Sequence, residues 1–509
     1  MEKAPVQSSA AAGKPNIRLF VACFLAITTT SFCFILRALT LPQWGAELNL
    51  SKTQIGEIAG VGLWPFAISI VLFSLIIDKV GYKNSMIFAF ICHIASAVIT
   101  FFADGYLLLY VGTFIMALGN GTAEAVTNPA VASMFPREKT RWLNYLHAGW
   151  PTGLVLGGIM AMVMGPETDW RYKIILMVLP TVAYAILMFP QKFPLNERVK
   201  AGVTYLQMLK EAGIGGAFII GALIIFQIGT VFGWSTTVNT IITLAVVGIF
   251  GLFVKSFGRP LFIIMLLIML PLAITELGTD SWISDLMAPA MRRIGVDAGW
   301  ILIYTSAIMA VLRLMAGAVI HRISPLGLLA VCSAIAAAGL YLFSVSDGIM
   351  ILIAATIFGI GKSFFWPTML GVVAERFPKG GALTLNITGG VGMIGAGILG
   401  TVILGFVQDK TVNTKLAEYD SKNNTALHSQ YATEKKESIF GEYRAIDVAR
   451  LAAAPEQDKQ AVNAVQEEAK KGALKTVAVF PVVMLICYLL LIFYFKSKGG
   501  YKAVLLDNN

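Results

Sequence analysis

Seven ionisable side chains stand out well inside the long apolar runs of this 509-residue chain: Arg37, Glu124, His147, Glu276, Asp280, Arg313 and Lys362. A charge well inside hydrocarbon is costly, so each such residue marks a substrate or proton path unless a permanent ion pair consumes it. Glu124 is the residue best suited to carry a proton. A carboxyl in low dielectric keeps its proton into the physiological range unless a cation holds it ionised, and Arg37 or Lys362 could be a cation that switches it. His147 could relay a proton or bond a substrate hydroxyl. Glu276 and Asp280 stand one helical turn apart and share a face. Trp150, Trp282 and Trp366 offer flat faces for a sugar ring or anchors at the membrane interface. Asn120, Asn128, Asn144 and Asn386 are amides able to meet hydroxyls. Enzymatic chemistry has little support, because GxxxxGK[ST], GxSxG and HExxH are all missing. Cys23, Cys33, Cys92, Cys332 and Cys487 lie in apolar runs without CxxC spacing, which argues against a metal site or disulfide framework. No cofactor is expected.

The elements that must hold these residues follow from composition. Hydrophobic residues make up 57% of the chain and charged residues 13%, with mean hydropathy +0.75. Such a balance belongs in lipid, where backbone groups must bond internally and helices are the spanning form. Apolar runs of spanning length occur near 17–41, 53–77, 84–103, 106–134, 142–165 and 171–190. Two more follow near 213–233 and 236–256, then six near 259–284, 299–320, 326–345, 349–375, 382–407 and 474–495, about 14 in all. The first run is too long for a signal-peptide core and is read as helix 1. The net charge of +10 resides in loops between the runs, which favours membrane orientation over nucleic-acid binding. The positive-inside rule places both termini in the cytoplasm. In a Gram-negative host the membrane would be the inner one.

Gly119 and Gly361, Phe135 and Phe377, Pro136 and Pro378, and Asn144 and Asn386 recur at one common offset. Two related six-helix halves with an extra pair between them account for it. The expected organisation is therefore a cytoplasmic tail (1–16), an N-terminal bundle (17–191), a basic connection (192–212) and two inserted helices (213–258). A C-terminal bundle (259–407 and 474–496), an external hydrophilic loop (408–473) and a cytoplasmic tail (497–509) complete it. The stretch 456–471, rich in Ala, Gln, Glu and Lys, predicts a helix within that loop.

After helix 2 the chain reads Ser74, Asp78, Lys79, Gly81, Lys83, and at the counterpart position Gly317, His321, Arg322, Ser324. The spacing resembles the major facilitator signature G-x-x-x-D-[RK]-x-G-x-[RK], with Ser74, His321 and Ser324 as departures. The resemblance implies a cytoplasmic gate at Asp78, Lys79, Gly81, Lys83, Gly317 and Arg322. The pattern Glu124, Asn128, Pro129, followed by Phe135-Pro136 and Asn144, resembles the fucose/proton symporter family, where the helix 4 glutamate takes part in proton coupling. That family has an Asn-Asp pair in helix 1 where this chain has Arg37-Ala38-Leu39.

The resemblance implies a major facilitator fold whose cavity is lined by helices 1, 4, 9 and 12. It also implies a secondary transporter working by alternating access, and a monomer is expected. A proton-coupled monosaccharide symporter is the leading expectation, with sodium coupling open. Arg37 and Lys362 motivate an alternative, an organic anion such as a sugar acid or sugar phosphate. A non-transporting sensor using the outer loop is a third.

Overall fold

A computed structural model describes residues 15–50, 52–165, 167–438 and 441–506. The expected tail over 1–16 and the end of the 497–509 tail lie largely outside these residues. Apolar helices dominate, as a chain with this hydropathy requires: every backbone group in a helix bonds within its own segment. Among the described residues, thirteen helices are long and apolar enough to span a membrane, and a shorter apolar helix, Gly299–Leu314, stands among them.

In chain order the helices are α1 (Ile17–Glu47), α2 (Gln54–Val80), α3 (Tyr82–Phe101), α4 (Tyr106–Met134), α5 (Lys139–Met164), α6 (Trp170–Met188), α7 (Tyr205–Phe232), α8 (Thr236–Val254), α9 (Pro260–Arg293), α10 (Gly299–Leu314), α11 (Pro325–Val345), α12 (Met350–Arg376), α13 (Pro378–Asn423) and α14 (Glu456–Ser497).

The repeated glycines show how the two halves are built alike. A Cβ on Gly119 of α4 would lie 2.8 Å from His93 of α3, and one on Gly361 of α12 would lie 2.4 Å from the Ala336 backbone of α11. Each glycine lets two helices cross closely at an equivalent place in its half. The inserted helix α7 starts at Tyr205, earlier than hydropathy alone suggests, on a Thr204–Gln207 capping box. It breaks at Gly213, whose φ is 56°. There the chain runs beside the segment entering α9, with Ile214 N donating to Ser256 O at 2.9 Å and Gly215 N to Phe257 O at 2.9 Å.

Helix α13 was expected to end near 407 but continues to Asn423, and α14 is helical from Glu456. The hydrophilic excursion is therefore mostly two long helical extensions. Between them lie short helices at Leu427–Tyr431 and Val448–Ala452 and a hairpin of β1 (Lys436–Ser438) and β2 (Gly441–Tyr443), paired antiparallel. Leu416, Leu427, Tyr431, Val462 and Ala469 give it a core of its own. Ion pairs from Arg293 to Glu467 (2.7 Å), Lys470 to Asp285 (2.9 Å) and Lys471 to Asp347 (2.8 Å) fasten it to the ends of α9 and α11.

Two helices of the C-terminal half carry π-helical turns, Ile274–Gly278 in α9 and Gly395–Gly400 in α13. Gly278 and Gly400 face each other there. Such turns leave the regular hydrogen-bond ladder and recur at functional sites, and the first of them contains Glu276.

Candidate functional site

Glu124 on α4 lies at the meeting of the two halves. Its Oε1 accepts from Asn128 Nδ2 at 3.3 Å and from the Trp366 indole N–H of α12 at 3.3 Å. Trp366 occupies the position in the second half that Glu124 holds in the first, so the contact joins repeat-equivalent residues near the pseudo-twofold axis. His147 of α5 continues the network through Nε2 to Asn128 Oδ1 at 2.8 Å.

Beside this cluster, Glu276 makes a fully buried ion pair with Arg313 of α10 at 2.7 Å. Its second oxygen accepts from the Trp366 backbone N–H at 3.2 Å. Arg313 also donates to the carbonyls of His147 (2.9 Å) and Ser363 (2.5 Å), so its donors reach three helices. A planar guanidinium with fixed donors suits such a junction. Arg313, which the sequence marks only as a charge inside an apolar run, stands at the centre of this cluster. Asp280, one turn on, pairs with Lys362, whose ammonium also meets Thr305 Oγ1 at 3.3 Å.

Arg37 and Lys362 were expected as cations able to engage Glu124. The structure instead gives Lys362 to Asp280 and leaves the partners of Glu124 neutral. Arg37 lies on α1 with its guanidinium 5.5 Å from the Phe34 ring centroid. It is 4% exposed, yet its Nε and Nη1 have no hydrogen-bond partner among the described residues. It lines a cavity of about 720 Å³, together with Phe34, Leu63, Asp280, Trp282, Leu302 and Met393. The cavity extends towards the end that carries the hydrophilic hairpin, past Asp297 and Gly299 at the start of α10. Gln227 of the inserted helix α7 also reaches it. No sequence signal marked Gln227, because its place depends on how α7 docks. Trp150 lines smaller chambers below, one of them shared with Glu124, His147 and Glu276.

Three asparagines stand elsewhere. Asn120 turns away from the cavity and bonds His93 of α3 at 2.9 Å, a packing contact that replaces the hydroxyl-binding role expected of it. Asn144 donates to Thr368 of α12 at 3.2 Å, and Asn386 to the Ala125 carbonyl of α4 at 3.0 Å. These two are repeat partners that stitch the halves together from opposite sides.

The opposite end of the bundle is closed. Lys139 of α5 pairs with Glu197 at 2.5 Å and donates to the Ala374 carbonyl of α12 at 3.2 Å. Thr140 Oγ1 donates to Glu375 at 2.5 Å, whose other oxygen accepts from Tyr501 at 2.7 Å. Asp78 pairs with Arg198 of the connection. Gly81 adopts φ 84° at the turn between α2 and α3. A Cβ on Gly317 would come within 2.3 Å of the Tyr145 hydroxyl, so that glycine admits α5. Lys79, Lys83 and Arg322 are exposed at this end.

Two related bundles of apolar helices, around a cavity open towards one end and shut at the other, are the architecture of a polytopic membrane protein. The Major Facilitator Superfamily model matches residues 19–275. The chain belongs to that superfamily. The gentisate transporter of Corynebacterium glutamicum is 25% identical over 140 residues, which is 27% of this chain and 32% of that protein. The cis,cis-muconate transport protein of Acinetobacter baylyi is 24% identical over 170 residues, 33% of this chain and 41% of that one. The chain thus spans about a third to two fifths of the length of these relatives. The crystal structure of the E. coli fucose:proton symporter superposes with a TM-score of 0.56 at 16% identity, covering 91% of this chain and 98% of that one.

Proposed function

We propose that the protein is a proton-coupled transporter of organic anions, working by alternating access, with both termini cytoplasmic and the cavity facing outward. The observation that carries the anion reading is Arg37, a buried guanidinium in the cavity wall whose Nε and Nη1 lack hydrogen-bond partners among the described residues. Arg313 and Lys362 are each matched by a carboxylate, Glu276 and Asp280. Arg37 is the one cation among the described residues lining the cavity. A planar fork of donors with no carboxylate of its own suits a ligand that brings one. Two of the relatives are named for organic acids, in keeping with this choice.

Glu124 is the coupling residue in this reading. Its partners are neutral donors, so it can gain or lose a proton without breaking an ion pair. Trp366 links it to Glu276, which gives a proton arriving on α4 a route to influence the packing of α9, α10 and α12. Asn128 and His147 complete the path. Asp78, Gly81, Gly317 and the Lys139–Glu197 pair serve the cytoplasmic gate.

A second reading, proton-coupled uptake of a monosaccharide, draws on the same Glu124, Asn128 and His147 cluster beside the Trp150 and Trp366 rings. Reconstitution in liposomes separates the two. The wild type should accumulate a carboxylate only under an inward proton gradient, while Glu124→Gln should exchange it at zero gradient without accumulating it. Uptake blocked by neutral sugars and indifferent to carboxylates would reverse the choice. Accumulation without a gradient would remove Glu124 from coupling.

A further inference from the structure

The cavity holds a second unmatched group. Asp280 is 8% exposed and lines the same cavity as Arg37. One oxygen is taken by Lys362, while Oδ2 is buried without a hydrogen-bond partner among the described residues. A buried acceptor left unpaired is costly, and a carboxylate held by an ammonium accepts hydrogen bonds and donates none. The missing partner is therefore a donor.

That donor is neutral. Lys362 is fully buried against Asp280, Thr305 and the Phe358 ring, and it already balances the Asp280 charge. A second cation would sit beside that ammonium and be repelled, whereas a neutral hydroxyl adds a bond without adding charge. The rest of the wall supplied by Phe34, Leu63, Trp282, Leu302 and Met393 is apolar or aromatic and suits a carbon skeleton.

We propose that the transported anion is a hydroxy-carboxylate, its carboxylate seated on Arg37 and a hydroxyl donating to Asp280 Oδ2. This rests on the anion reading above and narrows it. Arg37 and Asp280 present a donor fork and a free acceptor to a largely apolar cavity whose other polar lining is Gln227, Ser281, Ser284 and Asp297, and the substrate presents the complement. Lys362 acts as a positioning residue that turns Asp280 so that its second oxygen faces the ligand. Specificity among acids then comes from the hydroxyl, since every carboxylate satisfies Arg37 equally.

The test uses the purified full-length wild type and measures ligand-induced thermal stabilisation over matched triplets. Each triplet comprises a hydroxy acid, its deoxy analogue and its O-methyl ether: lactate, propionate and 2-methoxypropionate, or 3-hydroxybenzoate, benzoate and 3-methoxybenzoate. Gluconate, glucose and alanine complete the panel. The ether keeps the oxygen but cannot donate. In at least one triplet the hydroxy acid should bind about tenfold to hundredfold more tightly than both analogues, the range for a hydrogen bond to a charged group. Asp280→Asn combined with Lys362→Met, so that no buried ammonium is left unpaired, should narrow that gap.

Equal binding across every triplet overturns the hydroxyl assignment and leaves the anion reading standing. Tighter binding of alanine than of lactate overturns it in favour of an ammonium at Asp280. Binding of glucose with no response to any acid overturns this inference and the anion reading together. No stabilisation by any hydroxy acid also overturns it.

Discussion

Gly62 offers a way to displace the Arg37 guanidinium without removing its charge. It stands in the turn that interrupts α2, and a Cβ built on it would lie 1.2 Å from Arg37 Nη1, 2.2 Å from Cζ and 2.5 Å from Nη2. Ordinary contact distances then require the guanidinium to move by roughly 2 Å. The obstructed atoms are the far end of a flexible side chain, so Gly62→Ala should leave the helices in place and change the melting temperature little. A displacement of this size removes charge-assisted hydrogen bonds to a bound carboxylate, each about 1.5–3 kcal/mol. Affinity for carboxylates should fall about tenfold to hundredfold. Thermal-shift titration of wild type, Gly62→Ala and Arg37→Gln with the same acids measures this, with the ligand-free melting curve as the folding control. Arg37→Gln should lose at least as much affinity as Gly62→Ala. Wild-type affinity in Gly62→Ala beside a large loss in Arg37→Gln would show that the guanidinium need not sit where it does. Wild-type affinity in both would refute Arg37 as the anchor.

Other perturbations probe the frame around the site. Arg313→Met leaves Glu276 a buried, uncompensated carboxylate and should cost about 3–5 kcal/mol; adding Glu276→Gln should restore part of that in thermal unfolding. Gly371→Val should prevent closure of the end opposite the cavity, because even its Cβ would lie 2.4 Å from Thr140 Oγ1 and 2.6 Å from Thr140 Cα. A cysteine introduced at Ser133, which lines the closed end, should then react faster with a maleimide; an unchanged rate would mean that α5 and α12 do not form the gate. Arg293→Ala breaks two exposed ion pairs, one to Glu467 of the hairpin and one to Asp347 after α11, worth about 0–1 kcal/mol each. Transport should stay within about twofold, and a larger loss would bring the hairpin into the cycle.

Hydropathy and loop charge, read along the chain alone, determined the membrane class, the count of about fourteen helices and the inserted pair. A spanning helix is a local property of some twenty consecutive residues, and it satisfies its own backbone whatever its neighbours do. The repeated glycines and asparagines likewise marked the two halves, because equivalent crossings demand equivalent small residues. Glu124, Glu276, Asp280 and Lys362 stood out for the same local reason, a charge within an apolar run. Pairing was another matter. Whether Lys362 meets Glu124 or Asp280, whether Asn120 faces the cavity or His93, and whether Arg37 finds a carboxylate depend on helix rotation and crossing to within a few ångströms. Those follow from side-chain packing between segments remote in sequence. Only the tertiary structure set Gly62 against Arg37, drew Gln227 of the inserted helix to the cavity and left Asp280 Oδ2 without a partner among the described residues. Each of these is a relation between helices that no single helix encodes.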